Sequence, residues 1–208
     1  MFISFEGIDF SGKSTQIELL KDYLEKQNKE VRLIREPGGT EISEKIRDIL
    51  LDKKNNAMFM EAEVLLFSAS RAQLVREVIR PYLEKGYYVI SDRFHDSSTA
   101  YQGFGRGLPI DSILKIHSLA IGNTIPDLTF IIDIPTSVAL ERKRSKLHSD
   151  LDRIELSDND FYEKVRSGYL ELAAKEDRFR VIDGTEKVEQ IHQKIIYEIN
   201  SLEGIKHI

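Results

Sequence analysis

Cysteine is missing from this sequence of 208 residues, and long apolar runs are missing as well. Without cysteine, disulfide bonds and thiolate metal sites are excluded, which fits a reducing compartment. The apolar segments are far shorter than the roughly 18 residues of a membrane-spanning helix, so no membrane partner is expected. The N-terminal segment contains Glu6 and Asp9 and no basic region, which is unlike a signal peptide. We therefore expect a cytoplasmic protein.

An excess of positive charge is also missing. The net charge is −5, so the electrostatic field of the whole molecule does not favour nucleic acid as a partner. A protein that binds small anions would instead keep its positive charge in a local cluster. The hydrophobic fraction of 41% suffices for a core, and the sequence shows no repeats or low-complexity linkers. We expect a single domain over residues 1–208.

Short apolar runs alternate with segments of helical periodicity along the whole chain. Strands are predicted at residues 2–5, 31–34, 87–91, 128–134 and 179–182. Helices are predicted around residues 17–24, 42–51, 61–83, 110–121, 138–146, 161–174 and 188–199. Pro81 is expected to kink or end part of the third of these helices. Five short strands separated by helices predict an α/β fold with a mostly parallel sheet covered on both faces.

The first strand leads into a glycine-rich loop. Residues 7–14 read GIDFSGKS, which fits the pattern G-x-x-x-x-G-K-[ST] between a strand and a helix. Glycines let backbone N–H groups turn inward around phosphate, and the helix adds the positive end of its dipole. We expect Lys13 to reach the β- and γ-phosphates and the Ser14 hydroxyl to bind Mg²⁺. The predicted phosphate-binding residues are Gly7, Ile8, Asp9, Phe10, Ser11, Gly12, Lys13, Ser14 and Thr15.

A carboxylate at the end of a neighbouring strand is needed to hold the magnesium ion. Two residues qualify, Asp92 after the third strand and Asp133 at the end of the fourth. Asp92 is followed by Arg93, so one strand end carries a metal-directed and an anion-directed group. Asp133 precedes Thr136, which resembles the cap of the next helix. We favour Asp92 as the metal ligand.

Several motifs that follow one another along the chain resemble those of the thymidylate kinases. They are REPGG at residues 35–39, FSASR at 67–71, DRF at 92–94 followed by two serines, AYQGFGRG at 100–107, PDL at 126–128 and LDRIE at 151–155. Each motif is weak alone, and the glycines at 103–107 are equally compatible with a simple turn. Their order at the predicted strand ends, from Ile3 to about Ile182, is specific.

The resemblance implies a P-loop NTPase three-layer fold with a mobile lid at about residues 141–155. It implies an enzyme that transfers the γ-phosphoryl group of ATP to dTMP with Mg²⁺, in dTTP synthesis. It also implies a homodimer, to which the helix at 61–83 would contribute. Two alternatives stay open: a kinase of another (deoxy)pyrimidine monophosphate or nucleoside, and a nucleotide-dependent switch that acts on a partner protein. A switch would not need a second anion site or an aromatic residue that stacks on a base.

The resemblance assigns the acceptor nucleoside to a small set of side chains. Phe67 would stack on the thymine ring, and Arg71, one helical turn further on, would donate to a base carbonyl. Ser98 and Gln102 would meet the remaining base edge, and Tyr101 would lie under the deoxyribose and disfavour a 2′-hydroxyl. From the residues alone, Phe67 fits a core position equally well, and Arg71 fits a solvated helix surface better.

The acceptor phosphate is assigned to Arg35 and Arg93, which follow two neighbouring strands. A planar guanidinium binds oxyanions with two parallel hydrogen bonds, although both arginines could also be plain surface charges. Asp9 and Glu36 are acids beside a phosphate site, which is unfavourable unless they face a sugar hydroxyl or a metal ion. The resemblance assigns them to the 3′-hydroxyl of the acceptor and to the metal shell.

Phosphoryl transfer to an ionised phosphate needs alignment and charge neutralisation rather than a covalent residue or a general base. In the family that the motifs resemble, a mobile arginine comes either from within the P-loop or from the lid. The interior of this P-loop has no arginine, so the resemblance implies that the lid supplies the cation. Arg142, Arg144 and Lys146 stand at alternating positions there, and Lys146 departs from the family pattern. The residues expected to take part in catalysis are Lys13, Arg93, Asp9, Arg142 and Arg153.

Overall fold

The computed structural model of the chain describes residues 1–144 and 151–206. Its sheet has the strand order β2-β3-β1-β4-β5, and every neighbouring pair of strands is parallel. The strands are β1 (Phe2–Glu6), β2 (Val31–Arg35), β3 (Tyr88–Asp92), β4 (Leu128–Asp133) and β5 (Phe179–Asp183). Each lies within one residue of its predicted bounds at both ends, and the parallel sheet predicted from the sequence is confirmed.

Helices cover both faces of this sheet. They are α1 (Lys13–Lys26), α2 (Glu41–Leu51), α3 (Met60–Leu74), α4 (Arg80–Glu84), α5 (His95–Ser98), α6 (Ile110–Ile121), α7 (Thr136–Arg144), α8 (Asn159–Ala173) and α9 (Val188–Lys206). Within the described residues, none of them is long and apolar enough to cross a membrane.

The three layers follow from the alternation of side chains along each strand. In β1, Ile3 and Phe5 belong to a core cluster formed with α1 and α9. Phe2, which points the other way, belongs to a cluster formed with α3 and α6. β4 divides in the same manner, since Phe130 packs in the first cluster and Ile131 packs against α8. The three-layer α/β architecture expected for the family is therefore present.

The helical region predicted at residues 61–83 is interrupted, but not at Pro81. A π-helical segment, Val75–Ile79, separates α3 from α4. Pro81 lies in the first turn of α4, where a backbone N–H has no helical partner and the proline ring is tolerated. Pro81 therefore lies at the start of α4, directly after the π-helical segment.

The glycine-rich stretch after β3 is helical as far as Gly105 and then turns at Arg106. A π-helical segment, Thr99–Gly105, continues from α5 and packs closely against α8. A Cβ atom on Gly105 would lie 2.6 Å from the ring of Phe161, and one on Gly168 would lie 2.6 Å from the ring of Phe104. The two segments thus pack through reciprocal glycine–phenylalanine contacts, for which the glycines are needed.

The lid expected at residues 141–155 is only partly covered. Its beginning belongs to α7, and residues 151–155 follow a short gap. Lys146, one of the candidate lid cations, lies outside the described residues.

Candidate active site

The predicted acceptor residues meet around one pocket of about 300 Å³ beyond the carboxyl ends of β1, β2 and β3. It is lined by all the residues assigned to the acceptor: Asp9, Arg35, Glu36, Phe67, Arg71, Arg93, Ser98, Tyr101 and Gln102. A second pocket is lined by residues 9–15 of the P-loop and by Arg142. Asp9, Ser14, Asp92 and Arg93 line both pockets. The two spaces therefore adjoin at these residues, which were expected to handle phosphate and metal, and at Glu155.

The P-loop closes tightly over the sheet. Gly7 has a φ of +131°, and a Cβ atom there would lie 2.5 Å from the carbonyl oxygen of Ile132. Lys13 is buried, and its Nζ donates to the carbonyl oxygens of Gly7 at 3.2 Å and Ile8 at 2.9 Å. Desolvation and the nearby charge of Arg93 lower the pKa of Lys13 to about 8. A phosphate group in this loop would supply the anionic partner that favours the charged lysine.

Ser14 and Asp92 form a pair of oxygen donors between the P-loop helix and β3. The Ser14 hydroxyl donates to Asp92 Oδ2 at 3.2 Å. Asp133, the other candidate, instead forms a double ion pair with Arg166 at 2.7 and 2.8 Å. Among the described residues no group of three or more acidic or histidine side chains could hold a metal ion. One hydroxyl and one carboxylate still suit Mg²⁺, which takes its remaining ligands from phosphate and water.

Arg93 is held at the junction of the two pockets. Its φ of +70° is uncommon for a residue with a side chain. The guanidinium donates to Asp9 Oδ1 at 2.6 Å, to the Gly7 carbonyl oxygen at 2.9 Å and to the Tyr101 hydroxyl at 3.1 Å. Burial opposes ionisation of Asp9, but Arg93, Lys13 and tyrosine hydroxyls outweigh it and lower the pKa of Asp9. The cation and the anion thus hold each other in place.

Glu36 and Arg71 form a buried ion pair on the other side of the acceptor pocket. Arg71 Nε lies 2.6 Å from Glu36 Oε2, and both side chains are at most 2% exposed. Arg71 also donates to Ser98 Oγ at 3.1 Å and to the Phe94 carbonyl oxygen at 3.2 Å. It is therefore not a solvated helix charge. Burial raises the pKa of Glu36 to about 7 despite Arg71, and Glu36 Oε1 accepts no hydrogen bond from the described residues.

The remaining acceptor residues differ in how firmly they are held. Phe67 is half-buried and lines the pocket at the edge of a core cluster. Its position is therefore compatible both with a core residue and with a residue that stacks on a bound base. Gln102 is buried and donates from Nε2 to Glu63 Oε1 at 2.9 Å. Arg35 is half exposed and binds the Pro37 carbonyl oxygen and Glu44.

The family model for thymidylate kinases matches residues 5–195. This chain belongs to the thymidylate kinase family. It is 52% identical over 199 residues to the thymidylate kinase of Kosmotoga olearia, covering 95% of this chain and 94% of that protein. It is 50% identical over 195 residues to the thymidylate kinase of Thermosipho africanus, covering 94% and 95%. The crystal structure of thymidylate kinase from Ehrlichia chaffeensis matches with a TM-score of 0.77 at 36% identity, covering 96% and 98%.

Membership of the thymidylate kinase family confirms the family predicted from the motifs. The chain is an ATP-dependent nucleoside-monophosphate kinase, which is a phosphotransferase. A nucleotide-dependent switch acting on a partner protein is not the function of this family.

The candidate lid cations of this chain lie in different places. Arg142 donates to the P-loop carbonyl oxygens of Phe10 at 3.0 Å and Ser11 at 3.2 Å. Arg153 lies on the acceptor side, where it donates to the Leu50 carbonyl oxygen at 2.8 Å and forms an ion pair of 2.6 Å with Glu63. Arg153 would have to leave these partners to reach a transferred phosphoryl group.

The sequence alone did not single out Arg47, which lines the acceptor pocket and donates to the Pro37 carbonyl oxygen at 2.8 Å. A charge in an amphipathic helix such as α2 is typical of a solvated surface. Glu63 was missed for the same reason.

Glu6 was also missed. It is fully buried and accepts hydrogen bonds from Phe94 N at 2.7 Å, Ser97 Oγ at 2.6 Å and the Tyr169 hydroxyl at 2.8 Å. Burial, with a contribution from Asp96, raises the pKa of Glu6 to about 7. A charged residue at the end of an apolar strand was the signal that could have identified it.

Proposed function

We propose that this chain transfers the γ-phosphoryl group of ATP to dTMP, giving dTDP and ADP, across the junction of its two pockets. The observation that carries the proposal is that Asp9, Ser14, Asp92 and Arg93 line both pockets. A donor phosphate in the P-loop and an acceptor phosphate beside Arg93 would then meet at one point. Holding the two reactants in line supplies much of the rate enhancement in such reactions.

The donor side is formed by the P-loop. Its backbone and Lys13 would bind the phosphates of ATP, and Arg142, which already contacts the loop, would add positive charge near the γ-phosphate. The segment at residues 141–155 would act as the lid that brings this charge in when both substrates are bound.

Ser14 and Asp92 would hold Mg²⁺, with Glu36 in the surrounding shell. The distance of 3.2 Å between the hydroxyl and the carboxylate supports the first two. The buried pair with Arg71 keeps the Glu36 carboxylate fixed, and the hydrogen-bonding capacity of its Oε1 supports a further contact. When bound, the ion neutralises charge on the β- and γ-phosphate oxygens.

The acceptor phosphate would lie between Arg93, Arg35 and Arg47, all of which line the pocket. Its oxygens are already ionised at neutral pH, so no side chain needs to remove a proton. Asp9, held by Arg93 and by the Tyr162 hydroxyl at 2.9 Å, would accept a hydrogen bond from the 3′-hydroxyl of the sugar.

The base would stack on Phe67, with Arg71, Ser98 and Gln102 along its polar edges and Tyr101 against the deoxyribose. The support is that these five side chains line one pocket and that Arg71 is fixed by three partners. A buried polar wall of this kind rejects ligands that leave its groups unpaired.

A homodimer is proposed from the two neighbouring helices α3 and α6. Both expose apolar side chains, with Leu65 56%, Leu114 49% and Leu119 82% exposed. A second copy of the chain that covered them would remove apolar surface from water. Light scattering should report a dimer for the wild type and a shift toward monomer for Leu65→Glu.

The test of the catalytic proposal is an ADP-release assay with dTMP, dUMP, dCMP, dGMP, UMP and thymidine as acceptors. We expect dTMP to be preferred over dCMP and UMP by kcat/KM, with an advantage that can reach about 10⁴-fold. Thymidine should fail, because it lacks the phosphate that Arg93 binds. Equal kcat/KM for dCMP and dTMP would overturn the base-site assignment and favour a kinase of other pyrimidine monophosphates.

A further inference from the structure

Glu63 is a carboxylate of α3 that is only 2% exposed, next to the acceptor pocket. Gln102 and Arg106 donate hydrogen bonds to it, and Arg153 forms an ion pair with it. Gln102 Nε2 lies 2.9 Å from Oε1, Arg106 Nε lies 3.3 Å from Oε1, and Arg153 Nη2 lies 2.6 Å from Oε2. The carboxylate therefore connects a residue of the pocket wall with a residue of the lid segment.

The charge state of Glu63 determines which end of the Gln102 amide can face it. Burial opposes ionisation, but Arg106, the hydrogen bond from Gln102 and Arg153 outweigh it and lower the pKa of Glu63. An ionised carboxylate only accepts hydrogen bonds. The NH₂ group of Gln102 must therefore face Glu63, and the amide oxygen is left for another partner.

Gln102 lines the acceptor pocket, so the partner of its amide oxygen can be the bound base. The six-membered ring of thymine or uracil carries a hydrogen on N3 and can donate to that oxygen. The N3 atom of cytosine carries no hydrogen and only accepts. Two acceptors would then face each other in a buried site, which costs free energy because neither is satisfied.

We propose that Glu63 is a positioning residue for base recognition, which fixes Gln102 so that its amide oxygen selects pyrimidines with an N3–H. The proposal rests on the assignment of the acceptor base to this pocket. Glu63 acts through Gln102 and does not itself touch the substrate. Because it also binds Arg153, its loss affects the lid segment as well, and the test must separate the two effects.

Glu63→Gln separates the effect on base recognition from the effect on the lid segment. It keeps the size of the side chain but supplies an NH₂ group, so Gln102 can turn its amide over. We expect the ratio of kcat/KM for dTMP to that for dCMP to fall by about tenfold or more, as for a lost hydrogen bond in a buried site. Glu61→Gln, an exposed position of the same helix, is the control and should leave the ratio unchanged.

A purely structural role for Glu63, or a role only in holding Arg153, would lower kcat/KM for both substrates by the same factor and would overturn the proposal. The double variant with Gln102→Ala gives an independent comparison. If Glu63 acts through Gln102, adding Glu63→Gln to Gln102→Ala should not change the ratio further. A further drop would contradict the proposal.

A second measurement uses the wild-type protein and does not depend on the folding of a variant. The side-chain amide of Gln102 can be assigned in a ¹H–¹⁵N spectrum by its disappearance in Gln102→Ala. Its protons should exchange slowly with water, with and without dTMP. Fast exchange would show that Glu63 does not hold them. If instead the wild type shows no preference for dTMP over dCMP, the proposed function itself fails, and with it the role of Glu63.

Discussion

The Arg93 guanidinium lies 2.6 Å from the Asp9 carboxylate, at the junction where two phosphate groups are expected to meet. An acid at this point would repel phosphate if it were unpaired. Arg93 neutralises Asp9, and tyrosine hydroxyls donate to it. Asp9 therefore keeps the arginine in position while repelling a nearby phosphate only weakly. When an acceptor phosphate enters, Arg93 can bind both anions with its several N–H groups.

Arg93→Ala should therefore weaken dTMP far more than ATP. The variant removes the cation on the acceptor side and leaves Asp9 unpaired, which adds repulsion toward the acceptor phosphate. The measurement is the KM for each of the two substrates, determined while the other substrate is saturating. Arg166→Ala removes an arginine that is paired with Asp133 outside both pockets, and it should leave both KM values unchanged. A raised KM for ATP with normal kinetics for dTMP would move Arg93 to the donor side.

Lys13→Ala should lower kcat by roughly 10² or more, because Lys13 would stabilise the charge of the transferred phosphoryl group. Steady-state rates at saturating ATP and dTMP give the value. A circular dichroism spectrum equal to that of the wild type will show that the fold is intact. An active Lys13→Ala enzyme would show that this loop is not the catalytic cradle.

The difference in stability between the wild type and the same variant should depend on pH. Burial and Arg93 lower the pKa of Lys13 from its ordinary value of 10.5 to about 8, so its charged form is disfavoured in the folded protein. Between pH 8 and pH 10.5, Lys13 is protonated in the unfolded chain and largely neutral in the folded protein. The free energy of unfolding of the wild type should therefore rise relative to that of Lys13→Ala as the pH increases from 8 to 10.5. Urea unfolding at pH 7 and at pH 10 measures this. A difference in the free energy of unfolding between the two proteins that stays constant with pH would contradict it.

The lid cations should differ in their contribution to kcat. We expect Arg142→Ala and Arg153→Ala each to lower kcat more than Lys146→Ala does. Arg142 already contacts the P-loop, and Arg153 anchors the lid segment to Glu63. A lysine is a point charge and cannot bridge two oxygens as a planar guanidinium can. ATP binding measured without turnover should change little, since the proposed lid would close fully only around both substrates.

Rapid-quench or steady-state kcat values for the three variants decide between the possibilities. If Lys146→Ala is the most damaging, the lysine has taken the catalytic place. If none of the three lowers kcat tenfold, the lid does not supply the charge, and it must come from Lys13, Arg93 and the metal ion.

The strands of the sheet and the P-loop motif could be predicted from the sequence because both depend on local patterns. An apolar run and the glycine spacing around Lys13 each determine a backbone conformation within a few residues. The burial of Arg71 was not predictable in this way. Its environment depends on Glu36, which is 35 residues away along the chain and reaches it only after β2 and α3 are packed.

The environment of Glu63 could not be predicted for the same reason. Its partners Gln102 and Arg153 belong to two separate segments, and helical periodicity places a glutamate on a helix without showing what lies opposite. The glycines at 103 and 105 resembled a turn in the sequence, but their cause is tertiary. A Cβ atom on Gly105 would lie 2.6 Å from Phe161 of α8, and one on Gly103 would lie 2.5 Å from Ile110 of α6.

The reciprocal packing of Gly105 on Phe161 and of Gly168 on Phe104 has a consequence for the evolution of the enzyme. α8 also carries Tyr162 and Tyr169, whose hydroxyl groups contact Asp9 and Arg93, while the opposing segment carries Tyr101 and Gln102. A single methyl group at either glycine would push these two segments apart. Substitutions at these two contacts should therefore change the angle between the segments. Mutational libraries that aim to change substrate preference without replacing the side chains of the pocket should include these positions.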